Sequence, residues 1–263
     1  MIDKKEFLLQ YIIKAYIEHL EPIGSTQLKS MYDITYSPAT IRGYFKKLGE
    51  EGYLAQEHIS SGRTPTTEAL KQYWQTKLNF KLKGINLRAL EYFASNIGLS
   101  VFIKKEKSDI LKDILNVENK YMILEFSSFA ISVKYSDALY RFLNDMIGLD
   151  LKDITKVSKD VGAYEVYESI NQTLQNSDFQ IFNYKEFLNL ALNYDFDEYT
   201  INSFLKGQIL DELTEGLYFD KLLPANYIGI CNYCKINNED VKMLVIGELP
   251  KDYEYFYEKI TTF

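Results

Sequence analysis

The sequence has 263 residues, of which 46% are hydrophobic and 25% are charged, and its formal net charge is −7. This composition is typical of a folded globular protein and excludes a long disordered chain. Neither a run of about eighteen apolar residues nor a secretory leader is visible, so we expect a cytoplasmic protein without a membrane anchor.

The charge is distributed unevenly along the chain. Residues 1–83 contain 12 basic and 9 acidic residues, whereas residues 84–263 contain 18 basic and 28 acidic residues. The first part therefore carries a charge of +3 and the second a charge of −10. This asymmetry indicates a nucleic-acid-binding first part, although a difference of this size also arises by chance in acidic proteins.

Helical periodicity dominates the beginning of the chain. The pattern Asp3-x-x-Glu6 predicts a capped first helix, which ends before Pro22 because proline excludes the preceding residue from the helical region. Ser25 is predicted to cap a short second helix, and residues 33–35 form a tight connection to a third. Short helices joined by such a turn are typical of a helix-turn-helix.

The third predicted helix has two different faces. Ser37 is a good N-cap residue, and Pro38 suits the first helical position, where its missing N–H group costs nothing. One face is apolar, while the other is small, polar and positive, since it contains Ala39, Thr40, Arg42, Gly43 and Lys46. We predict that Ser37 and these five residues bind DNA in the major groove. The alternative is an ordinary solvated surface helix.

A hairpin is predicted after the third helix. Residues 53–59 alternate as a strand, a turn follows, and residues 63–65 return. Three helices followed by a hairpin predict a winged helix-turn-helix, with the hairpin as the wing.

The predicted wing supplies three further DNA-binding candidates, which are Ser61, Gly62 and Arg63. Glycine allows close backbone approach, and arginine fits a narrow minor groove or pairs with phosphate through two hydrogen bonds. Alternatively, Arg63 caps a helix or pairs with Glu57. Further along, Trp74 is expected in the core or in a contact between domains.

A domain boundary is predicted at residue 83, where alternating lysines precede Gly84. Beyond it, strands are predicted at residues 100–103, 121–126, 129–135, 227–234 and 241–247. Helices are predicted at residues 87–97, 138–147, 164–174, 201–217 and 252–260. This order predicts an α+β domain over residues 84–263 with a mainly antiparallel sheet.

No catalytic constellation is visible, and we predict that the protein is not an enzyme. The two histidines, His19 and His58, have no nucleophile nearby in sequence, and no glycine-rich phosphate loop is present. Cys231 and Cys234 form an isolated C-x-x-C, which we interpret as two thiols on a buried strand. Acidic clusters at residues 195–198 and 211–212 lack the pattern of a cation-binding loop. We therefore predict neither a metal nor a cofactor.

Four segments together resemble one family, the HrcA heat-shock repressors of bacteria. They are Glu21-Pro22-Ile23-Gly24-Ser25, Ser37-Pro38-Ala39-Thr40-Ile41-Arg42, residues 48–54 and Ser61-Gly62-Arg63-Thr64-Pro65-Thr66. A fainter similarity covers Val245-Ile246-Gly247, Pro250 and Asp252-Tyr253, and the strand-rich region looks like the GAF-like domain of the family.

The resemblance implies a winged helix domain in residues 1–83 and a GAF-like α+β domain in residues 84–263, with a helical dimerisation segment inserted around residues 150–225. It implies a homodimer that binds an inverted-repeat operator, called CIRCE, and represses chaperone genes until heat shock. It also implies assistance from the chaperonin GroEL. Gly43 departs from the asparagine frequent in the family.

A rival hypothesis is a ligand- or protein-sensing regulator in which the winged helix is only a general interaction module. In that case Tyr121, Phe126, Tyr135 or Tyr227 would line a ligand pocket. Without a ligand these aromatic residues belong to the core, which is the interpretation that we favour.

Overall fold

The computed structural model describes residues 4–56, 58, 61–78, 84–105, 109–175 and 179–262. The chain forms two compact units, the first from Met1–Ile103 with Gln180–Phe263 and the second from Lys104–Phe179. These limits differ from the predicted boundary at residue 83 and from the predicted inserted segment around residues 150–225. Both of those remain predictions about functional domains.

The first unit begins with three helices, a two-stranded antiparallel sheet and a fourth helix. They are α1 (Lys4–His19), α2 (Ser25–Tyr32), α3 (Pro38–Glu50), β1 (Leu54–Ala55), β2 (Thr64–Pro65) and α4 (Thr67–Lys77). Their shared core includes Leu8, Ile12, Leu28, Ile41 and Phe45, all less than 5% exposed. Burying each such side chain stabilises the fold by about 1.5–3 kcal/mol.

The predicted start of α2 was wrong by one residue. Gly24 is the N-cap and Ser25 is the first helical residue. The Gln27 side chain accepts a hydrogen bond from the Gly24 N–H group, so this cap does not require a serine hydroxyl. Asp3 of the predicted first cap lies outside the described residues.

A seven-stranded sheet has the order β12-β3-β10-β11-β4-β8, and β9 also pairs with β10. Its strands are β3 (Gly84–Ile85), β4 (Ser100–Lys105), β8 (Phe179–Phe182), β9 (Gly216–Tyr218), β10 (Tyr227–Ile236), β11 (Glu239–Glu248) and β12 (Thr261–Thr262). The accompanying helices are α5 (Leu87–Ile97), α9 (Tyr184–Asn193), α10 (Glu198–Leu205), α11 (Ile209–Glu212) and α12 (Tyr253–Ile260).

The hairpin of β10 and β11 is joined by two residues, Asn237 and Asn238. Both have positive φ angles, 52° and 68°, which matches the type I′ turn that connects tightly paired strands. Asparagine tolerates this conformation better than most residues. The turn thereby fixes the register of the two longest strands, in which Ile236 opposes Glu239.

The second unit contains a three-stranded antiparallel sheet and three helices. They are β5 (Leu111–Val117), β6 (Tyr121–Phe126), β7 (Ala130–Lys134), α6 (Asp137–Asn144), α7 (Leu151–Asp160) and α8 (Tyr164–Gln175). Its core includes Leu124, Leu143, Ile154 and Val166. Together, the two units confirm the prediction of a mixed α+β protein.

Candidate nucleic-acid interface

The start of α3 is fixed by a side-chain cap. Ser37 Oγ accepts a hydrogen bond of 3.1 Å from the N–H group of Thr40, and the hydroxyl groups of both residues lie 2.9 Å apart. Pro38 follows at the first helical position, as predicted. Ser37 therefore holds the first turn of the helix, in which Thr40 lies.

The predicted two-faced character of α3 is confirmed. Ile41, Phe45 and Leu48 are buried on the inner face. The outer face is exposed and contains Ala39, Thr40, Arg42, Gly43 and Lys46. A side-chain carbon added at Gly43 would meet no atom within 4 Å, so this part of the surface is open.

The two positive charges on the outer face have only weak intramolecular partners. Arg42 Nη1 donates a hydrogen bond of 3.4 Å to Ser25 Oγ at the start of α2. Lys46 Nζ lies 3.8 Å from Glu50 Oε1, and these side chains are 78% and 64% exposed. Exposed pairs of this kind contribute about 0–1 kcal/mol, so another anion can replace Glu50 at little cost.

The hairpin is joined to the helices through a backbone bridge between Ile23 and Arg63. The Ile23 N–H group donates to the Arg63 carbonyl at 2.8 Å, and the Arg63 N–H group donates to the Ile23 carbonyl at 2.9 Å. Ile23 lies two residues before α2, and Arg63 directly precedes β2. The bridge therefore fixes the predicted wing relative to the residues that begin α2.

Gly62 permits this bridge because its backbone lies directly against another segment. A Cβ atom at this position would be 2.5 Å from the carbonyl carbon of Pro22 and 2.6 Å from that of Ile23. Only glycine fits without a backbone shift. Gly62 therefore makes a close backbone contact within this protein, and its approach to DNA stays a prediction.

The two side chains beside Gly62 differ in their hydrogen bonding. Ser61 Oγ donates a hydrogen bond of 2.7 Å to the His58 carbonyl and therefore stabilises the turn. The half-buried Arg63 side chain has no hydrogen-bond or ion-pair partner in the part of the chain that the structure describes. Glu57, the predicted alternative partner, lies outside that part.

The nine predicted site residues belong to two places in the first unit. Ser37, Ala39, Thr40, Arg42, Gly43 and Lys46 lie at the cap or on the outer face of α3, and Ser61, Gly62 and Arg63 precede β2. Ile23, through its backbone bridge to Arg63, and Ser25, through its hydrogen bond from Arg42, also belong to this surface and were not predicted. Both residues lie in the segment Pro22-Ile23-Gly24-Ser25, which resembles the family, and this resemblance was the only sequence feature that pointed to them.

The residues set aside as non-catalytic have structural roles. Cys231 and Cys234 are buried on β10 as free thiols, which confirms the predicted buried strand. Burial raises the pKa of Cys231 to about 11 and that of Cys234 to about 12, so both stay protonated at neutral pH. Asp197 caps α10, and the hydrogen bonds from Thr200 lower the pKa of its carboxyl group.

A capped helix with an exposed basic face beside a small antiparallel sheet is typical of DNA-binding transcription regulators. In the described ranges, no cluster of metal-ligating side chains is found, and no helix is both long and apolar enough to traverse a bilayer. The surface of α3 is therefore the candidate site that the fold defines.

Comparisons with known proteins identify the family. The profile of the HrcA C-terminal domain matches residues 74–263. The heat-inducible transcription repressors HrcA of Helicobacter pylori strains J99 and 26695 are each 31% identical to this chain over 264 residues, which cover 99% of this chain and 95% of either relative. The chain belongs to the HrcA family of heat-inducible transcription repressors. Its function is negative regulation of heat-shock transcription, and this fits the prediction that it is not an enzyme.

A solved structure supports the fold over the same length. The crystal structure of a hypothetical protein superposes with a TM-score of 0.50 and 18% sequence identity, and the match covers 98% of this chain and 96% of the other. At this identity the likeness concerns the fold alone.

Proposed function

We propose that α1–α4 with β1 and β2 form a winged helix-turn-helix domain that binds an inverted-repeat DNA operator of the CIRCE type. The observation that carries this proposal is the exposed, basic outer face of α3 next to a hairpin that the Ile23–Arg63 bridge holds in place. Binding there represses chaperone operons, and heat stress releases the repressor.

In this proposal α3 enters the major groove. Thr40, Arg42 and Lys46 approach base edges and phosphates. Ala39 has a small side chain and Gly43 has none, so the helix backbone can come close to the DNA. Ser37 acts by fixing the first turn, since its hydroxyl group already caps the helix. A two-pronged contact between Arg42 and a guanine would contribute about 1–3 kcal/mol of discrimination between bases.

The wing would then hold the adjacent part of the duplex. Arg63, whose side chain has no partner among the described residues, supplies the positive charge for a phosphate or a narrow minor groove. Gly62 places this residue by its contact with Pro22, and Ser61 stabilises the turn before it. In this proposal the wing anchors the protein to the DNA backbone, and α3 recognises the base sequence.

The remaining parts of the proposal concern assembly. A homodimer matches a palindromic operator by its two-fold symmetry and combines two modest affinities. The family resemblance supports a GAF-like domain in residues 84–263, a dimerisation segment around residues 150–225, assistance by GroEL and a cytoplasmic location. None of these four points depends on the details of α3.

The test is fluorescence anisotropy at one fixed salt concentration with an inverted-repeat duplex and a scrambled duplex of equal composition. We expect preference for the inverted repeat and a loss of about tenfold for Arg42→Ala, which corresponds to about 1.4 kcal/mol. Arg88→Ala is the matched control, because Arg88 is exposed on α5. Equal affinity for both duplexes would refute operator recognition, and an unchanged Arg42→Ala variant would refute the role of that arginine.

A further inference from the structure

A cavity of about 230 Å³ lies in the first unit where α9 faces the end of β11. Its polar lining residues include Ser100, Glu186, Asn189, Tyr227, Glu248 and Lys251, and glycines and apolar side chains complete the wall. Of the four aromatic residues predicted as pocket candidates, Tyr227 lines this cavity, whereas Phe126 belongs to the core of the second unit.

The walls of the cavity carry charges of both signs. Glu186 and Glu248 provide two carboxylates, and Lys251 provides an ammonium group. The Tyr227 hydroxyl group donates a hydrogen bond of 3.4 Å to Glu248 Oε1. Burial and the charges of Glu248 and Glu186 raise the pKa of Tyr227 to about 12, so both carboxylates act on the same hydroxyl group.

Several of these polar groups are not used by the protein itself. Ser100 Oγ donates to the Asn183 carbonyl and is therefore occupied. By contrast, the side chains of Glu186, Asn189 and Lys251 have no hydrogen-bond or ion-pair partner within the described ranges of the chain. An anion, an amide and a cation thus face one cavity and are available to a ligand.

We propose that this cavity binds a small zwitterion of the α-amino-acid class, with its ammonium group at Glu186 and Glu248 and its carboxylate at Lys251. The volume is below the roughly 300–1,000 Å³ of sites for drug-sized ligands, so it suits a metabolite of amino-acid size. A ligand with charge of only one sign would pair with only part of this lining, either the carboxylates or the ammonium group.

The position of the cavity connects it to the DNA-binding elements. Leu249 lies between the ligand-facing Glu248 and Lys251, and its carbonyl oxygen accepts a hydrogen bond of 2.7 Å from the indole of Trp74 on α4. A ligand that fixes Glu248 and Lys251 therefore also fixes the residue to which α4 is attached. We expect such a ligand to change operator affinity.

The test is isothermal titration calorimetry of the full chain with each of the twenty standard amino acids. Putrescine and succinate serve as probes that carry charge of one sign only. We expect at least one amino acid to bind with one site per chain, and Glu186→Gln, Glu248→Gln and Lys251→Met each to weaken it at least tenfold. Glu91→Gln, on the exposed face of α5, makes the same charge change outside the cavity and should bind normally.

Three results would overturn the inference: no binding of any amino acid, equal binding by the cavity variants, or binding of putrescine as tight as that of the amino acid. Glu186 is exposed on α9, so its variant tests the site without a risk to folding. Operator binding measured without any ligand is independent of this result. Failure of the cavity proposal and failure of the DNA-binding proposal are therefore distinguishable.

Discussion

The indole N–H group of Trp74 donates a hydrogen bond of 2.7 Å to the carbonyl oxygen of Leu249, 175 positions further along the chain. The Trp74 ring also meets the ring of Tyr253 edge-on, with centroids 5.1 Å apart. A neighbouring ion pair of 2.6 Å joins Lys71 to Asp220. One face of α4 therefore joins the helices that carry the candidate interface to the elements around the seven-stranded sheet.

We expect Trp74→Phe to destabilise the protein by about 2–3 kcal/mol. The change leaves the buried Leu249 carbonyl without its donor and creates a void, since Trp74 is only 1% exposed. Urea unfolding followed by circular dichroism measures the effect. Tyr92→Phe, at a site that is 62% exposed, is the control and should change stability by less than about 0.5 kcal/mol. Equal stability of both variants would contradict the importance of the indole contact.

Gly43→Ala is expected to stabilise the protein by about 0.5–1 kcal/mol. Gly43 lies in the interior of α3, and an added methyl group meets no neighbour within 4 Å, so the gain in helix propensity is not offset by a clash. Thermal and urea unfolding measure this gain.

The control for this variant is Gly52→Ala. An added methyl group at Gly52 also has open space, but the φ angle there is +82°, where a side chain is strained. We therefore expect Gly52→Ala to destabilise the protein. A loss of stability in Gly43→Ala would mean that α3 does not continue through this residue as a regular helix.

Gly62→Ala is expected to destabilise the protein by about 1–3 kcal/mol, because its methyl group would overlap the backbone of Pro22. The Ile23–Arg63 bridge should open first. Hydrogen exchange of these two amide groups, measured by NMR, should accelerate while exchange in α4 changes less. Unchanged protection of both amides would show that the backbone absorbs the extra carbon without cost.

The properties of α3 could be predicted because they are local. All of these properties are encoded within fourteen consecutive residues, the N-cap and the thirteen residues of α3. They are the Ser37 cap, the proline at the first position and the apolar spacing of Ile41, Phe45 and Leu48. The Thr66 cap of α4 and the turn at Asn237 and Asn238 are likewise set by residues close together in the sequence. Sequence patterns report such short-range interactions well.

Two elements of the second unit were not predicted, and their patterns explain why. In β5 the apolar residues Leu115 and Val117 are 47% and 40% exposed, so apolar and polar residues do not alternate with burial. A register irregularity near Leu111 disturbs the period further. The helix α7 (Leu151–Asp160) has seven polar residues among ten, so its three apolar residues form only a weak helical pattern.

The long-range contacts at the candidate site could not be predicted from local pattern. The predicted helix over residues 201–217 is instead divided into α10, α11 and β9, since Gly207 has a φ angle of +70° between the two helices. The bridge of Ile23 to Arg63 joins residues 40 positions apart. Neither partner carries a sequence signal for the other, because backbone bridges depend on the path of the chain and not on side-chain type.

In the second unit, Asp109 holds the turn between β6 and β7. Its carboxylate accepts hydrogen bonds from the N–H groups of Ser127 and Ser128, at 2.7 and 2.9 Å, and from the Ser128 hydroxyl group at 2.6 Å. Burial alone would raise the pKa of Asp109, but these bonds and one from the Ile110 N–H group outweigh it. They lower the pKa from the ordinary 3.8 to about 2.

The direction of this pKa shift determines the expected pH dependence. Because the folded-state pKa lies below the unfolded-state value, the stabilisation by Asp109 is complete above about pH 4 and is lost as the pH falls towards 2. Asp109→Asn keeps the shape but removes the charge that these donors stabilise, so we expect a loss on the order of 2 kcal/mol at neutral pH.

Urea unfolding of wild type and Asp109→Asn at a series of pH values tests this expectation. The difference in unfolding free energy should shrink as the pH falls below about 4, since the wild-type carboxylate then begins to lose its charge advantage. Asp160→Asn, an exposed substitution at the end of α7, should show a small difference at every pH. A difference for Asp109→Asn that stays constant to the acid limit of folding would mean that the loss does not arise from the charge of the carboxylate, and would contradict this prediction.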